Sequence, residues 1–434
     1  MHKSLYILPI VFSLLAGCAA YKLDEAQHSL RSSFAKRNFS GSVELLHSYQ
    51  DQGIYKKKDQ VLYLLEMGTA LHFSENYDSS SVCFTRAEEE IDQQFTKSIS
   101  RGLTSMLLND NALVYDGEDY EDIYLNAFKS LNFIQSQELD AALVEARRMA
   151  YKLSRLEVKY EGVAEAMSSA DTLNKVKWKA GKSSVQNSAL SRFLSSVLYA
   201  KSGKPDDARI EYEKLREALT EQPTAYSLTG DLYRELNIIR DPYGYNVLLV
   251  GFAGRAPVKR QHDIRTFSND LDSYVKFSIP SIHLYPSVVR NVQAVVGDTL
   301  QIALPMLEEM DRVAREIYKV KQPIIYGRAF LRAVLKAGAA EALEKKAEKK
   351  NEGNGGLANI LGILGQELTE KADLRGWQTM PGKAYANVVK LPPGEHAITI
   401  EYRSEQDRLL FSETKNVVVQ SPNDLKLAEA LYWN

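Results

Sequence analysis

The sequence predicts an α+β protein in which an α-helical repeat domain precedes a β-sandwich-like domain with inserted helices. Three observations support this prediction. Apolar residues recur every three or four positions from about residue 20 to 240, and proline is almost absent there before Pro205, as expected of packed helices. The pattern changes at the turn-like run Asp241-Pro242-Tyr243-Gly244, after which β-branched runs predict strands. A length of 434 residues also suits two domains.

The amino terminus combines a basic residue, an apolar run and small residues before a cysteine. Lys3 precedes the apolar run Leu5 to Leu15, which is too short to span a bilayer, and Leu15-Ala16-Gly17-Cys18 follows. This motif resembles a bacterial lipobox, in which the cysteine thiol receives a diacylglyceryl group. We therefore predict a lipoprotein signal peptide over residues 1–17 and lipidation of Cys18. A signal peptide with an incidental cysteine, or a buried apolar helix, is the alternative.

The predicted anchor also indicates a location. Two or more acyl chains hold a protein firmly to a bilayer, because each buried methylene contributes about 0.8 kcal/mol. Ala19 follows the cysteine. By resemblance to the sorting rule of Gram-negative bacteria, a residue other than aspartate there favours the outer membrane. We expect a body that faces the periplasm and is tethered to the outer membrane.

The composition excludes several classes of protein. A hydrophobic fraction of 44% and a charged fraction of 25% are those of a globular protein with a core. The formal net charge of -2 gives no reason to expect nucleic acid as a partner. Lipidation of Cys18 leaves Cys83 as the only other cysteine, so no intramolecular disulfide is expected. We interpret Cys83 as a small buried hydrophobe.

Three segments of the amino-terminal half share a spacing of mostly small residues. The recurring sets are Gly68, Ser80 and Ala87; Ser130, Ala142 and Met149; and Ser196, Ala208 and Leu215. This spacing resembles degenerate tetratricopeptide repeats, which are helix pairs of about 34 residues. We predict a tetratricopeptide-like domain over residues 18–240, with extra helices such as Gln94 to Leu108 between the units; a plain helical bundle is the alternative. Stacked helix pairs commonly present a concave surface that binds a partner.

The carboxyl-terminal half, residues 241–434, mixes predicted strands and helices. The predicted strands are Tyr245 to Phe252, Tyr274 to Ile279, Val288 to Val296, Lys383 to Lys390, His396 to Arg403 and Leu409 to Val419. Helices are predicted from Pro305 to Tyr318 and from Tyr326 to Lys350. Strands on both sides of these helices predict a β-sandwich-like domain. We interpret the apolar stretch Gly356 to Gly365 as a packed helix, and contact with a membrane or partner is the alternative.

The sequence contains no motif of a known reaction. It lacks a nucleophile elbow, a phosphate loop and a dinucleotide fingerprint, and no two of its seven histidines have zinc-ligand spacing on one helix. An acidic cluster comprises Asp110, Asp116, Glu118, Asp119, Glu121 and Asp122. It lacks the ligand order of a calcium loop, so we interpret it as a helix start, with a cation site as the alternative. We expect no catalytic residue, no cofactor and no metal.

One polar constellation is a candidate binding site. Its members are Arg328, Arg332, Lys336, Asp373, Arg375 and Trp377. The first three lie four residues apart and form a basic stripe on one helix. Asp373 is able to neutralise this stripe, which favours an ion-paired contact between a helix and the sheet. An anion or glycan site is the alternative, because arginine beside tryptophan suits carboxylates and sugar faces.

Six short motifs carry a resemblance to a known family. They are Asn109-Asp110-Asn111, Tyr115 to Glu121, Ala142 to Arg148, Gly254 to Lys259, Arg328-Ala329 with Arg332-Ala333 and Lys336, and Ala372 to Pro381. Together they resemble a family of Gram-negative outer-membrane lipoproteins, of uncharacterised function, with tetratricopeptide-like helices. The resemblance covers most of the mature chain. It implies an architecture and a location, and no reaction.

These observations predict a lipid-anchored periplasmic scaffold or adaptor. We expect it to bind envelope proteins through its helices, to contact the outer membrane through its lipid, and to catalyse no reaction. The alternatives are a protein that binds peptidoglycan or another glycan, and an envelope enzyme with a site near Asp373 and Arg375.

Overall fold

The computed structural model describes residues 22–100, 110–170, 177–221, 236–268, 273–297, 299–348 and 371–434; at residues 98–100, 170, 221, 268, 273 and 336–348 it describes the backbone alone. Helices occupy the amino-terminal half and strands the carboxyl-terminal half, so the predicted mixed class with helices first is confirmed. The signal peptide, Cys18 and the stretch Gly356 to Gly365 lie outside the described residues.

Helices of the amino-terminal half form four pairs in the described chain. Their bounds are α1 (22–35) and α2 (Phe39–Asp51), α3 (Gln60–Phe73) and α4 (Tyr77–Ser100), α5 (Asp119–Gln135) and α6 (Leu139–Ala170), and α7 (Ala189–Lys201) and α8 (Pro205–Glu221). Short 3-10 turns at Lys57–Asp59, Asp110–Ala112 and Asn237–Arg240 lie between or after the pairs.

The same three-residue turn joins the two helices of every pair. Its middle residue has φ between 58° and 70° and is, in turn, Arg37, Glu75, Gln137 and Gly203. In each turn the next N–H donates to the carbonyl five residues back: Asn38 to Ser33, Asn76 to Leu71, Glu138 to Phe133 and Lys204 to Tyr199. This is the left-handed termination that glycine favours, and only one of the four uses glycine. The four helix pairs therefore share one turn geometry, although three of the four turns lack glycine.

Small residues bring the two helices of a pair together, as their spacing predicted. The Ser80 hydroxyl of α4 donates to the Gly68 carbonyl of α3 at 2.8 Å. In the next two pairs the serine lies on the first helix instead: Ser130 donates to Ala142 and Ser196 to Ala208, each at 2.9 Å.

One expectation for the spacing of the helices is wrong. Gln94 begins no separate helix, because it continues α4, a single helix of 24 residues. The polar segment that begins at Glu161 is helical at its start, because α6 runs for 32 residues and includes it. The distance between units therefore comes from long second helices. Residues 101–109 lie outside the described part.

The helical part of the carboxyl-terminal half also differs from the prediction. Instead of one helix from Pro305, a short strand precedes one continuous helix, α9 (Met310–Glu348), which contains Pro323. Proline removes the intrahelical donor for the carbonyl of Lys319. The loop before α7 approaches α9 close to this carbonyl, where Gly181 donates its N–H to the Val320 carbonyl at 2.8 Å. A Cβ on Gly181 would lie 2.0 Å from the Lys319 oxygen, so only glycine permits this approach.

Ten strands form three sheets in the described chain. The strands are β1 (Val247–Ala253), β2 (Val258–Ser268), β3 (Ser273–His283), β4 (Asn291–Val296), β5 (Leu300–Leu304), β6 (Met306–Glu308), β7 (Lys383–Val389), β8 (Gly394–Arg403), β9 (Leu409–Val419) and β10 (Lys426–Tyr432). Sheet 1 has the order β10-β1-β7-β6, sheet 2 is the hairpin β2-β3, and sheet 3 has the order β5-β4-β8-β9. All six predicted strands are present, and sheets 1 and 3 combine strands from both sides of α9, as predicted.

Sheet 1 lies between the helices and sheet 3. On β1, Leu248, Val250 and Phe252 belong to the helical core, whereas Val247 and Leu249 belong to the core shared with sheet 3. A strand that is buried on both faces has a continuous run of apolar residues, which explains why β1 could be predicted from the sequence. The helical core continues into sheet 1, so the two halves of the chain share it.

Candidate functional site

Residues 371–382, which precede β7, cover the inward side of α3 and α5. Within this segment, Trp377 is 1% exposed, and its ring centroid lies 5.7 Å from that of Phe84 and 5.6 Å from that of Phe128. Its indole N–H donates to the Thr69 hydroxyl at 2.8 Å. The helical surface that was the natural place for a partner is thus filled, at α3 and α5, by the chain itself.

Two buried glutamates bind this segment. Glu66 of α3 accepts the N–H of Gln378 at 2.9 Å and the hydroxyl of Thr379 at 2.6 Å. Glu121 of α5 accepts the N–H of Trp377 at 2.6 Å. Burial raises the pKa of Glu66 to about 7, although these hydrogen bonds favour its ionised form. Burial and the neighbouring Glu118 raise the pKa of Glu121 to about 7.

Arg375 is fully engaged with the protein. Its guanidinium donates to Asp373 at 2.7 Å and to Asp59 at 2.9 Å, and it lies over the ring of Tyr115. Its other donor contacts are to the carbonyls of Lys58, Asp110 and Leu113. Burial alone would raise the pKa of Asp373, but Lys259 and Arg375 hold it at about 2. All five guanidinium N–H groups are used, so Arg375 has none left for an anion or a glycan.

The basic stripe of Arg328, Arg332 and Lys336 contacts the surroundings of Arg375 only in part. Arg328 pairs with Asp110 at 2.9 Å, and Arg332 lies 3.6 Å from the same carboxylate. The neutralising group is therefore Asp110 and not Asp373, which pairs with Arg375. The backbone oxygen of Asp110 accepts from Arg375, so Asp110 links the two groups. The side chain of Lys336 lies outside the described residues. Trp377 points into the helical core, away from the stripe.

The acidic cluster forms a helix start, as interpreted. Glu118 is the N-cap residue of α5, the Glu121 carboxylate accepts its N–H at 3.0 Å, and acidic residues fill the first turn. Basic residues neutralise the cluster: Glu118 pairs with Lys259 and Lys321, Asp119 with Lys159, and Asp122 with Lys152. In the described part of the chain, no three histidine, cysteine, aspartate or glutamate side chains are placed to hold a metal ion.

An open cleft lies on the outward side of the helices, between α4 and α6, with α5 below. It has a volume of about 580 Å³. Its apolar surface comes from Phe95, Ile123 and Leu156. From Arg148 to Lys159 the cleft follows α6 for about 16 Å, which is three helical turns.

The walls of the cleft carry opposite charges. The wall from α6 presents Arg148, Lys152, Arg155 and Lys159, and the wall from α4 presents Glu88, Glu89 and Asp92. Lys152 bridges the walls, with 2.7 Å to Glu88 and 2.6 Å to Asp122. Burial would raise the pKa of Glu88, but Lys152 and Lys129 hold it at about 2.

Three charged residues at the mouth of the cleft are exposed. Arg155, Glu89 and Asp92 form no ion pair with another described side chain. Beside them on α6, Tyr151 is 66% exposed. Val144 and Val158, which lie seven residues before and after Tyr151, are about half exposed. The described outer face of α6 thus combines an apolar ridge with a basic flank.

Sequence reasoning missed this cleft, although α6 carried a signal. Its basic residues are spaced by four, three and four positions, which places them on one helical face. The apolar residues Val144, Tyr151 and Val158 recur every seven positions, but they are too few to separate from ordinary surface residues. The acidic wall comes from α4, 50 or more residues away in sequence, and no spacing within α6 predicts it.

No protein-family model, curated protein or solved structure matches the chain significantly. The resemblance to a lipoprotein family therefore stays a prediction. None of the described helices combines the length and the hydropathy that crossing a bilayer requires.

Proposed function

We propose that this protein is an adaptor of the bacterial cell envelope that is tethered to the outer membrane, facing the periplasm, by lipidation of Cys18. Its helix pairs are tetratricopeptide-like repeats that bind a protein partner, and its β-sandwich-like half holds them in place. It catalyses no reaction. The recurrent turn and the recurrent contact between small residues support the assignment as repeats.

One observation carries the proposal: the inward side of α3 and α5 is filled, and the cleft beside α6 is open. Because the chain itself occupies the inner side at α3 and α5, we place the partner on the outer side. The cleft offers apolar surface, an exposed tyrosine and exposed charges of both signs, which is the composition of a protein interface. Arg375 and Asp373 satisfy one another, so neither an enzyme nor a glycan site is proposed there.

The adaptor function is tested by crosslinking in living cells. A photo-crosslinking residue at position 151 is expected to trap one discrete envelope protein. The control is position 243, because Tyr243 is 64% exposed and Tyr151 is 66% exposed. Loss of the crosslinked product in an Arg155→Glu background is expected. Equal products at positions 151 and 243 would contradict the proposal.

The anchor is tested separately by fractionating cells. Cys18→Ser removes the thiol that accepts lipid, so the protein should leave the membrane fraction. Cys83→Ser is the matched control and should stay in that fraction, because Cys83 is a free, half-buried thiol on α4. A Cys18→Ser protein that remains in the membrane fraction would refute the anchor.

A further inference from the structure

We infer that the cleft between α4 and α6 binds an amphipathic helix whose two flanks carry opposite charges. The apolar seam of this helix lies over Tyr151, its acidic flank faces α6, and its basic flank faces α4. This inference rests on the proposed adaptor function and names the chemistry of the partner.

The shape of the cleft favours a helix. Tyr151 lines the cleft, and Val144 and Val158 lie outside it along α6; the three are exposed at intervals of seven residues, which is the repeat that a second helix matches when it packs alongside. The cleft extends over three turns of α6 and has an apolar floor at Ile123 and Leu156. A large, exposed tyrosine in the middle of such a surface is a typical hot spot, because its ring provides contact area at little entropic cost.

The charges decide what kind of helix fits. On the α6 wall Arg155 is exposed, and Arg148 is half exposed although it contacts Glu88 and Glu145. On the α4 wall Glu89 and Asp92 are exposed. A partner with like charges on both flanks would be attracted by one wall and repelled by the other.

The same charges argue against two other occupants. A second copy of α6 packed antiparallel about Tyr151 would bring Arg147, which lies over the Tyr199 ring, near Arg155, and two like charges at an interface repel. A flat anionic membrane would be attracted by α6 but repelled by Glu89 and Asp92 beside it. A helix avoids both problems, because it has two separate flanks.

The test measures the affinity of three synthetic peptides for the full chain purified in neutral detergent. The peptides are about 18 residues long and share one leucine seam; one has an acidic and a basic flank, one has two acidic flanks, and one has two basic flanks. Fluorescence anisotropy should show the mixed peptide binding about 10-fold more tightly than either other peptide, and less tightly in high salt. Tyr151→Ala should weaken it about 10-fold, whereas Tyr243→Ala should leave it unchanged.

Charge reversal makes the test specific. Arg155→Glu reverses the exposed, unpaired charge of the α6 wall, so the peptide with two basic flanks should become the tightest. Glu89→Lys combined with Asp92→Lys reverses both exposed charges of the α4 wall, so the peptide with two acidic flanks should become the tightest. Equal affinities of the three peptides, or an unchanged order in both variants, would overturn the inference. So would binding of phosphatidylglycerol micelles that depends on Arg155 in the absence of peptide binding.

The two proposals fail in different ways. If crosslinks at position 151 trap a discrete envelope protein but no peptide is preferred, the adaptor function stands and the opposite-flank helix is wrong. If the peptide preferences hold but positions 151 and 243 crosslink equally in cells, the binding chemistry stands and the adaptor function is wrong.

Discussion

Glu66 and Glu121 hold the segment at residues 377–379 from fully buried positions. Each accepts hydrogen bonds from main-chain N–H groups that would otherwise be unsatisfied inside the helical core. Burial of a carboxylate is unfavourable, and the resulting pKa of about 7 means that both groups take up protons near neutral pH. The contact between the helices and the segment is therefore linked to pH.

Glu66→Gln is expected to flatten the dependence of the unfolding free energy on pH between pH 5 and 7. The pKa of Glu66 is about 7 in the folded chain, above its ordinary value of 4.5. The folded state then holds a proton that the unfolded state releases. Stability from this group is complete below pH 4.5 and is lost as the pH rises through 7, by up to about 1.4 kcal/mol per pH unit. Glutamine keeps a side-chain oxygen that accepts the N–H of Gln378, and it cannot titrate.

Urea unfolding at pH 5, 6 and 7 checks this expectation. Glu44→Gln, at an exposed position of α2, is the matched control and should keep the original slope. Asp373 and Glu88, with pKa values of about 2, act below this pH range. A Glu66→Gln slope equal to that of the unaltered chain would show that Glu66 does not carry the linkage.

Single residues also show where sequence reasoning ends. Asp373 and Arg375 are two positions apart, so their ion pair could be predicted from the sequence. Arg375 also contacts Asp59, which is 316 positions away, and no local pattern reports such a contact. Trp377 could be recognised as important, but its burial against Phe84 and Phe128 depends on how the whole chain folds back.

At the scale of elements, the close approach of α3 and α4 depends on Gly68. A Cβ at this position would lie 2.8 Å from the Phe84 ring, which is fully buried and cannot move freely. Gly68→Ala is expected to destabilise the protein by about 1–3 kcal/mol through overpacking. Gly162→Ala in α6 is the matched control, because nothing lies within 4 Å of its Cβ. It should stabilise the protein by about 0.5–1 kcal/mol. Thermal unfolding distinguishes the two, and shifts of the same sign would contradict this account.

Elements were predictable where one local pattern determined them. Alternating or wholly apolar strands such as β1, β8 and β9 were found, whereas β2 was missed because its sequence is mostly polar. β10 was missed because Leu427, Ala428 and Ala430 also suit a helix. It is a strand because it pairs in parallel with β1, which is a contact between distant segments. The left-handed turns at Glu75 and Gln137 could not be predicted from the sequence, because neither residue is glycine.

At the scale of the whole molecule, the helical half depends on the sheet half for its core. Phe128 of α5 packs against both Trp377 and Phe252, which come from the segment before β7 and from β1. Leu30 of α1 and Trp433 after β10 belong to the same cluster. The sequence predicted two successive domains because the period of the apolar residues changes near residue 241. The contacts between these regions join residues hundreds of positions apart, so a reading along the chain could not reveal them.

A fragment of residues 22–240 is therefore expected to lose its cooperative unfolding. Without sheet 1 and residues 371–382, Phe84 of α4 and Phe128 of α5 become exposed, and Glu66 and Glu121 lose the N–H groups of Gln378 and Trp377. Such a core behaves as a loosely packed state that binds apolar dyes. Calorimetry should show one transition for the full chain and none for the fragment. Coexpression with residues 241–434 is the control and should restore a single transition, because the missing contacts are supplied in trans. A fragment that melts cooperatively at the temperature of the full chain would mean that the shared core contributes little to stability.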